Sequence, residues 1–155
     1  MKKARFLAAA MAAVLMAAPL TGCGNKNEDY AVKLGILAPT QGAVSSYGQA
    51  ALNGALLAIK HANENKMFDK EIGYAHEDEK GEVQLAVTGY HTLVDTKKVD
   101  AIIGDVTSGP SIDVAAEAAK DGIPMITPTG TAAKITQDKS NVFRACFLDA
   151  TQGKA

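Results

Sequence analysis

The sequence predicts an α/β fold, in which helices cover both faces of a Rossmann-like parallel sheet. Short apolar segments that suit strands alternate along the chain with longer segments of helical periodicity. Such alternation is typical of βαβ units, whose strands run parallel to one another. The segment Ala101-Ile102-Ile103 has no polar residue, as expected of a strand that is buried on both faces.

The first half of the chain supplies two strands and one long helix. Val32–Leu37 is the first predicted strand, and proline and glycine then break the extended segment. A helix is predicted over about 45–66, because small and apolar residues recur there on one broad stripe. Ile72–Ala75 is a second, short strand, and we interpret the charged residues Glu77–Lys80 that follow it as a solvated turn. Adjacent residues of such a segment point apart, so no metal site is predicted there.

The second half continues the alternation with two helices and three strands. The helices are predicted at Glu82–Thr96 and Ile112–Lys120, and the strands at Val99–Gly104, Ile123–Thr127 and Val142–Leu148. Ser108–Ser111 is a helix-start signal, since Pro110 suits a first helical turn. Gly122 follows the last of the helical residues, at a position where glycine commonly ends a helix.

Small hydroxyl residues and glycines follow three of the predicted strands. In parallel sheets ligands bind beyond the carboxyl ends of the strands, so these loops are expected to share one rim. Ser108, at a helix start, suits a carboxylate, because a helix N-terminus carries partial positive charge. Thr131 and the backbone around Thr129 suit either a carboxylate or an ammonium group. A small zwitterion fits these groups, and turn and capping chemistry alone is the alternative.

Several function classes find no support in the residues. The loop Ala38–Gly42 has neither a dinucleotide-binding nor a Walker pattern, and Ser108 and Ser111 lack a G-x-S-x-G elbow. No histidine is predicted on the rim to act as a catalytic base, and no cofactor or metal is expected. A formal net charge of −1 without a basic run argues against nucleic acid as a partner. A lipid-anchored enzyme on a flavodoxin-like sheet is the remaining catalytic alternative.

The N-terminal residues are typical of a lipoprotein precursor. A basic start precedes the apolar segment Phe6–Leu20, which is too short to span a bilayer comfortably. Thr21, Gly22 and Cys23 then complete a lipobox, in which the Cys23 thiol receives the lipid. The predicted organisation is a signal peptide at 1–22, a lipidated tether at 23–30 and a ligand-binding domain at 31–155, anchored in the cell envelope. Cys146 is then left unpaired, and we interpret it as a small core residue.

Four segments of the chain resemble one family when taken in order. They are VKLGILAPTQGAVSSYGQAALNG, AIIGDVTSGPS, GIPMITPTGTAAKIT and VFRACFLDATQGKA. The chain resembles the amino-terminal part of the branched-chain amino acid (leucine/isoleucine/valine) binding proteins of ABC transporters, which are type I periplasmic binding proteins. The resemblance implies the first lobe of such a protein, with the second lobe absent from this sequence. It also implies a segment that returns to the first lobe late in the chain.

The resemblance also implies roles for four residues. Ser108 aligns with a serine that holds the ligand's α-carboxylate, and Thr131 with a threonine that contacts carboxylate and ammonium. Thr129 aligns with a residue whose backbone carbonyl accepts from the ammonium, and Tyr47 with an aromatic residue that covers the ligand side chain. The implied partners are an amino acid, a cognate ABC permease and, through the lipid, the membrane. A ligand-sensing receptor module of the same fold is the alternative.

Overall fold

The computed structural model describes residues 29–154, which form one five-stranded parallel sheet. The strands are β1 (Val32–Leu37), β2 (Ile72–Glu77), β3 (Ala101–Ile103), β4 (Met125–Thr127) and β5 (Val142–Arg144). Their order across the sheet is β2-β1-β3-β4-β5, so the first strand lies between the second and the third. The predicted α/β class and the parallel sheet are confirmed.

The described residues form four α-helices, of which the first three lie between successive strands, as predicted, and the fourth follows the last strand. They are α1 (Ser45–Glu64), α2 (Val83–His91), α3 (Ser108–Asp121) and the short α4 (Asp149–Gln152). A π-helical turn (Thr92–Thr96) continues α2, and a 3₁₀ turn (Ala133–Ile135) precedes β5. Gly122 ends α3 in the left-handed conformation, with φ of 73°, which confirms the stop expected from glycine. None of the described helices is long and apolar enough to cross a bilayer.

Several predicted boundaries are wrong by one or two residues: β2 extends to Glu77, β3 spans only Ala101–Ile103 and β4 begins at Met125.

Two other predicted boundaries are wrong by four residues. Helix α3 begins at Ser108 rather than near Ile112, because the residues of the start signal are already helical. Strand β5 ends at Arg144 rather than at Leu148. Its neighbour β4 ends at Thr127, whose carbonyl accepts from the Ala145 N–H (3.0 Å). Beyond that hydrogen bond, β4 offers no further residues for β5 to pair with.

Helices cover both faces of the sheet, but to different extents. Helices α2 and α3 cover one face over a cluster of twelve buried residues, among them Leu37, Ile102 and Met125. Helix α1 covers the other face near β1 and β2, around Ile36 and Ile59. On that second face Ile126 of β4 and Phe143 of β5 lie side by side and are 40% and 55% exposed.

Candidate functional site

The structure brings Ser108 and Thr131 together at the carboxyl ends of β3 and β4. The two residues are 23 positions apart in sequence, and their hydroxyl oxygens lie 3.5 Å apart. Ser108 Oγ also accepts hydrogen bonds from the N–H groups of Thr131 and Ala132, each at 3.2 Å. The shared rim that the loop chemistry predicts is therefore present for these two residues.

The hydrogen bonds of Ser108 leave its hydroxyl in one role. A serine oxygen can accept two hydrogen bonds and donate one. The amides of Thr131 and Ala132 occupy the accepting positions, so the O–H can only donate, either to Thr131 Oγ1 at 3.5 Å or to an acceptor on a ligand. The first N–H groups of α3 also lack acceptors within the helix. Pro110 has no N–H, so these free donors are the amides of Ser108 and Gly109. This edge of the site thus presents donors, which suits an anion.

A buried network supports the loop beneath the site. The backbone carbonyl of Asp105 accepts from Thr127 Oγ1 (2.6 Å) and from Ser111 Oγ (3.0 Å). Thr127 Oγ1 in turn accepts from Gly130 N–H at 3.0 Å. A Cβ at Gly130 would lie 2.7 Å from Thr127 Oγ1 and 2.6 Å from Ile135, so only glycine allows this close approach. The small residues of the loop are therefore required by its packing as well as by its outward face.

Arg144 holds the same loop from β5. Its guanidinium donates to the carbonyls of Gly130 (3.0 Å) and Ala132 (3.0 Å) and to Thr136 Oγ1 (2.8 Å). Sequence reasoning assigned this arginine no role, because its partners are backbone carbonyls that carry no sequence signal. Cys146 is only half-buried and its thiol donates to the Gly130 carbonyl (3.3 Å), so its interpretation as a core residue is wrong.

Within the described part of the chain, no hydrogen bond links Thr129 or Tyr47 to the pair formed by Ser108 and Thr131. Thr129 is exposed and its hydroxyl donates to the carbonyl of Val106, which ties the loop after β4 (residues 128–136, the threonine loop) to the loop after β3. Tyr47 lies in the first turn of α1 and is 65% exposed. Among the described residues no hydrogen bond joins its side chain to Ser108, Thr129 or Thr131. Cys23 and the predicted signal peptide lie outside the described residues.

The acidic turn after β2 is only partly solvated, which differs from the prediction. Glu79 is fully buried, whereas Lys80 is exposed, and the backbone of Lys80 and Gly81 closely approaches the loop after β1. Asp78 accepts hydrogen bonds from the Thr40 N–H and hydroxyl and from Gln41 Nε2. Burial raises the pKa of the Asp78 carboxyl, but these hydrogen bonds outweigh it and leave the pKa below its ordinary value. The turn therefore fastens the loop after β1 to the sheet.

Two comparisons of sequence place these observations in context. Residues 31–155 match the family described as "Periplasmic binding protein". Over 125 residues the chain is 31% identical to the Leu/Ile/Val-binding protein BraC3 of Rhizobium johnstonii, an alignment that covers 79% of this chain and 34% of that protein.

Two solved structures have the same fold. One is the leucine binding protein LivK of Thermotoga maritima, at 33% identity and a TM-score of 0.70, over 79% of this chain and 34% of that one. The other is the branched-chain amino acid transporter substrate binding protein LivJ of Streptococcus pneumoniae, solved with isoleucine, at 32% identity and a TM-score of 0.73. That alignment covers 77% of this chain and 34% of LivJ. The chain thus spans about a third of the length of these relatives.

Proposed function

This chain belongs to the periplasmic binding protein family, and on that premise we propose that it forms part of the substrate-binding protein of an ABC transporter for amino acid uptake. The proposed ligand is a branched-chain amino acid, bound as a zwitterion. Relatives of this chain are solute-binding proteins rather than enzymes, which supports a binding role. Membership of the family implies a location outside the cytoplasm.

One observation carries the proposal most strongly. The Ser108 oxygen accepts from the amides of Thr131 and Ala132, so its own proton can only be donated, and a ligand acceptor would compete only with the long 3.5 Å contact to Thr131 Oγ1. A carboxylate is such an acceptor, and it accepts only. The adjacent N-terminus of α3 favours its negative charge. In this proposal Ser108 and Thr131 hold the α-carboxylate.

The other predicted residues complete the ligand's surroundings in the proposal. The Thr129 carbonyl accepts from the ammonium group, and the Tyr47 ring covers the ligand side chain. Both Thr129 and Tyr47 are exposed to solvent, which is compatible with these roles. Tyr47 lies in the first turn of α1, the helix that follows β1.

We propose that residues 31–155 form the first lobe and that further polypeptide supplies the second lobe. The share of the relatives that the chain covers supports this, since it spans about a third of them. The open face at Ile126 and Phe143 also supports it, because a returning segment of the same polypeptide would bury these side chains. The two lobes would close on the ligand and present one surface to the permease.

We further propose that the protein is a lipoprotein of the cell envelope. The signal peptide at 1–22, the lipid on Cys23 and the tether at 23–30 rest on the sequence pattern. Metabolic labelling with a radioactive fatty acid tests this, since label is expected in the wild-type protein and not after Cys23→Ser. Equal labelling of the wild type and Cys23→Ser would contradict the lipobox assignment.

Isothermal titration calorimetry of the complete two-lobed protein tests the binding site. Leucine, isoleucine and valine are each titrated into the wild type, Ser108→Ala and Thr131→Ala. Each substitution removes a hydrogen bond to a charged group, so binding is expected to weaken by about 1.5–3 kcal/mol, which is about 10- to 150-fold in Kd.

Thr88→Ala is the matched control for these two variants. Its hydroxyl donates to the Gln84 carbonyl on the exposed surface of α2, away from the rim, and its binding should equal that of the wild type. Wild-type affinity in both rim variants would contradict the proposed site. Absence of heat with all three amino acids, in a folded wild type, would contradict the ligand class.

A further inference from the structure

Glu79 and Asp105 form a pair of buried carboxyl groups beneath the rim. Both side chains are fully buried, at 0% exposure. Glu79 follows β2 and Asp105 follows β3, so the two lie in different loops. These loops flank the end of β1, since β1 lies between β2 and β3 in the sheet. The two carboxyl groups lie within hydrogen-bonding reach of one another, which links the loops of two strands that are not neighbours.

Each carboxyl group uses one oxygen and leaves the other without a partner. Oε2 of Glu79 accepts from the N–H of Gly81 within its own turn. Oδ1 of Asp105 accepts from the N–H groups of Val106 and Thr107 in the same manner. Oε1 of Glu79 and Oδ2 of Asp105 are buried and have no hydrogen-bond partner among the described residues. Two ionised carboxylates cannot satisfy one another, because both only accept.

We propose that Glu79 and Asp105 share one proton in a hydrogen bond between the two carboxyl groups, which fastens the loop after β2 to the loop after β3, and that loss of this proton loosens the rim at Ser108 and Thr131. One proton turns one of the two unpartnered oxygens into a donor and leaves the other as its acceptor. Both orphaned atoms are then accounted for by a single bond.

The electrostatics of the pair agree with this arrangement. Burial raises the pKa of Asp105 to about 7, and the neighbouring charge of Glu79 raises it as well. Burial likewise raises the pKa of Glu79, against hydrogen bonds from backbone amides. The pair is expected to titrate as a unit, and its last proton leaves near neutral pH.

The charged groups on the surrounding elements do not neutralise the pair. On its own loop Asp78 adds negative charge, which raises the pKa of Glu79 further, and the Lys80 side chain is exposed. On β2, a ring nitrogen of His76 lies 3.1 Å from the carbonyl of Ala38. On α3, Asp113 is exposed. No cation of the described residues forms an ion pair with either carboxyl.

Ionisation would reach the rim through Asp105. Its backbone carbonyl accepts from Ser111 and Thr127, and its carboxyl holds the amides that lead into α3. Two negative charges held in contact without solvent repel one another, so the loops after β2 and β3 would separate. The hydrogen bonds from Thr131 and Ala132 to Ser108 would then lose their support.

Urea unfolding of the full 155-residue chain as a function of pH tests the proposal. The folded state retains a proton that the unfolded state loses, because the folded pKa is raised above the ordinary carboxyl value. The pair's stabilising contribution is therefore greatest in acid and declines as pH rises toward the folded pKa. The folding equilibrium constant is expected to fall by up to about tenfold per pH unit between about pH 5 and pH 7.

Glu79→Gln and Asp105→Asn each supply a permanent N–H donor in place of the shared proton. In either variant the folding equilibrium constant should no longer fall between about pH 5 and pH 7, and the variant should be more stable than the wild type at pH 8. The exposed Asp113→Asn is the matched control and should keep the wild-type decline. Hydrogen exchange should show weaker protection of the Thr131 and Ala132 amides above pH 7 in the wild type than in the two variants.

Carboxyl ¹³C shifts of the wild type provide a test that needs no variant to fold. Coupled titration of Glu79 and Asp105, with the last step near neutral pH, is the expected result. Ionisation of both groups in acid would overturn the proposal. A loss of stability with rising pH that is as large in both variants as in the wild type would also overturn it. A chelator that destabilises the wild type but neither variant would also overturn it, because the pair would then hold a cation.

Discussion

The two faces of the sheet differ in how completely they are covered. Beneath α2 and α3, buried apolar side chains extend from Leu37 of β1 through Ile102 and Met125 to Val142 of β5. Beneath α1, burial is confined to the region of β1 and β2, and Ile126 and Phe143 remain exposed. The stability of the described residues therefore rests mainly on the closed face, while the open face leaves apolar side chains exposed. Mutations on opposite faces should separate these two contributions.

The largest difference is expected for the same substitution on the two faces. Ile102 is 1% exposed on β3 and Ile126 is 40% exposed on the adjacent β4. Ile102→Ala leaves a cavity and should lower the free energy of unfolding by about 2–5 kcal/mol. Ile126→Ala removes side chain that is already partly hydrated and should cost less than half as much. Urea unfolding of the two variants measures the comparison, and equal losses would show that the open face is covered in solution.

A smaller effect is expected where the closed face meets the rim. Thr127 is fully buried on the closed face, where its hydroxyl donates to Asp105 and accepts from Gly130. Thr127→Val keeps the shape but leaves the buried Gly130 N–H without an acceptor, while the Asp105 carbonyl keeps its hydrogen bond from Ser111, so a loss of about 1–3 kcal/mol is expected. Thr88→Val, at an exposed position of α2, serves as the control in the same unfolding experiment. A loss no greater than that of the control would mean that the buried network contributes little.

The smallest change in stability is expected at the edge of the open face. Phe143 is 55% exposed on β5, which is an edge strand. Phe143→Thr keeps a residue that suits a strand and should change the free energy of unfolding by no more than about 0.5 kcal/mol. It should also reduce self-association of the chain, which sedimentation velocity measures. Unchanged association, together with a loss of several kcal/mol, would place Phe143 in the core.

The sequence predicted those features that depend on local pattern and on the rules of parallel sheets. Strand β1 was predicted to the residue, and Ser108 and Thr131 were expected on one rim because adjacent parallel strands end at the same edge. The burial of Glu79 could not be predicted in this way. Its neighbours in sequence are charged and suggest a solvated turn, whereas its environment is set by loops distant along the chain.

The contact of Arg144 with the threonine loop was missed for a similar reason. Its acceptors are backbone carbonyls of Gly130 and Ala132, and any residue could supply these. The early end of β5 likewise depends on where β4 stops, which the apolar residues after Arg144 do not reveal. Local chemistry thus predicted the elements and the rim, while long-range packing decided the support beneath them.

The order of the strands has a consequence for synthesis on the ribosome. Strands β1 and β2 can pair once residue 77 has emerged, but the central partner β3 ends only at Ile103. The arginine that secures the threonine loop emerges later still. At roughly 5–20 residues per second, a few seconds separate β3 from Arg144. The nascent chain would therefore hold a partial sheet, with apolar strands unpaired, before its rim could assemble, and this interval is when a chaperone or an export factor would have most to bind.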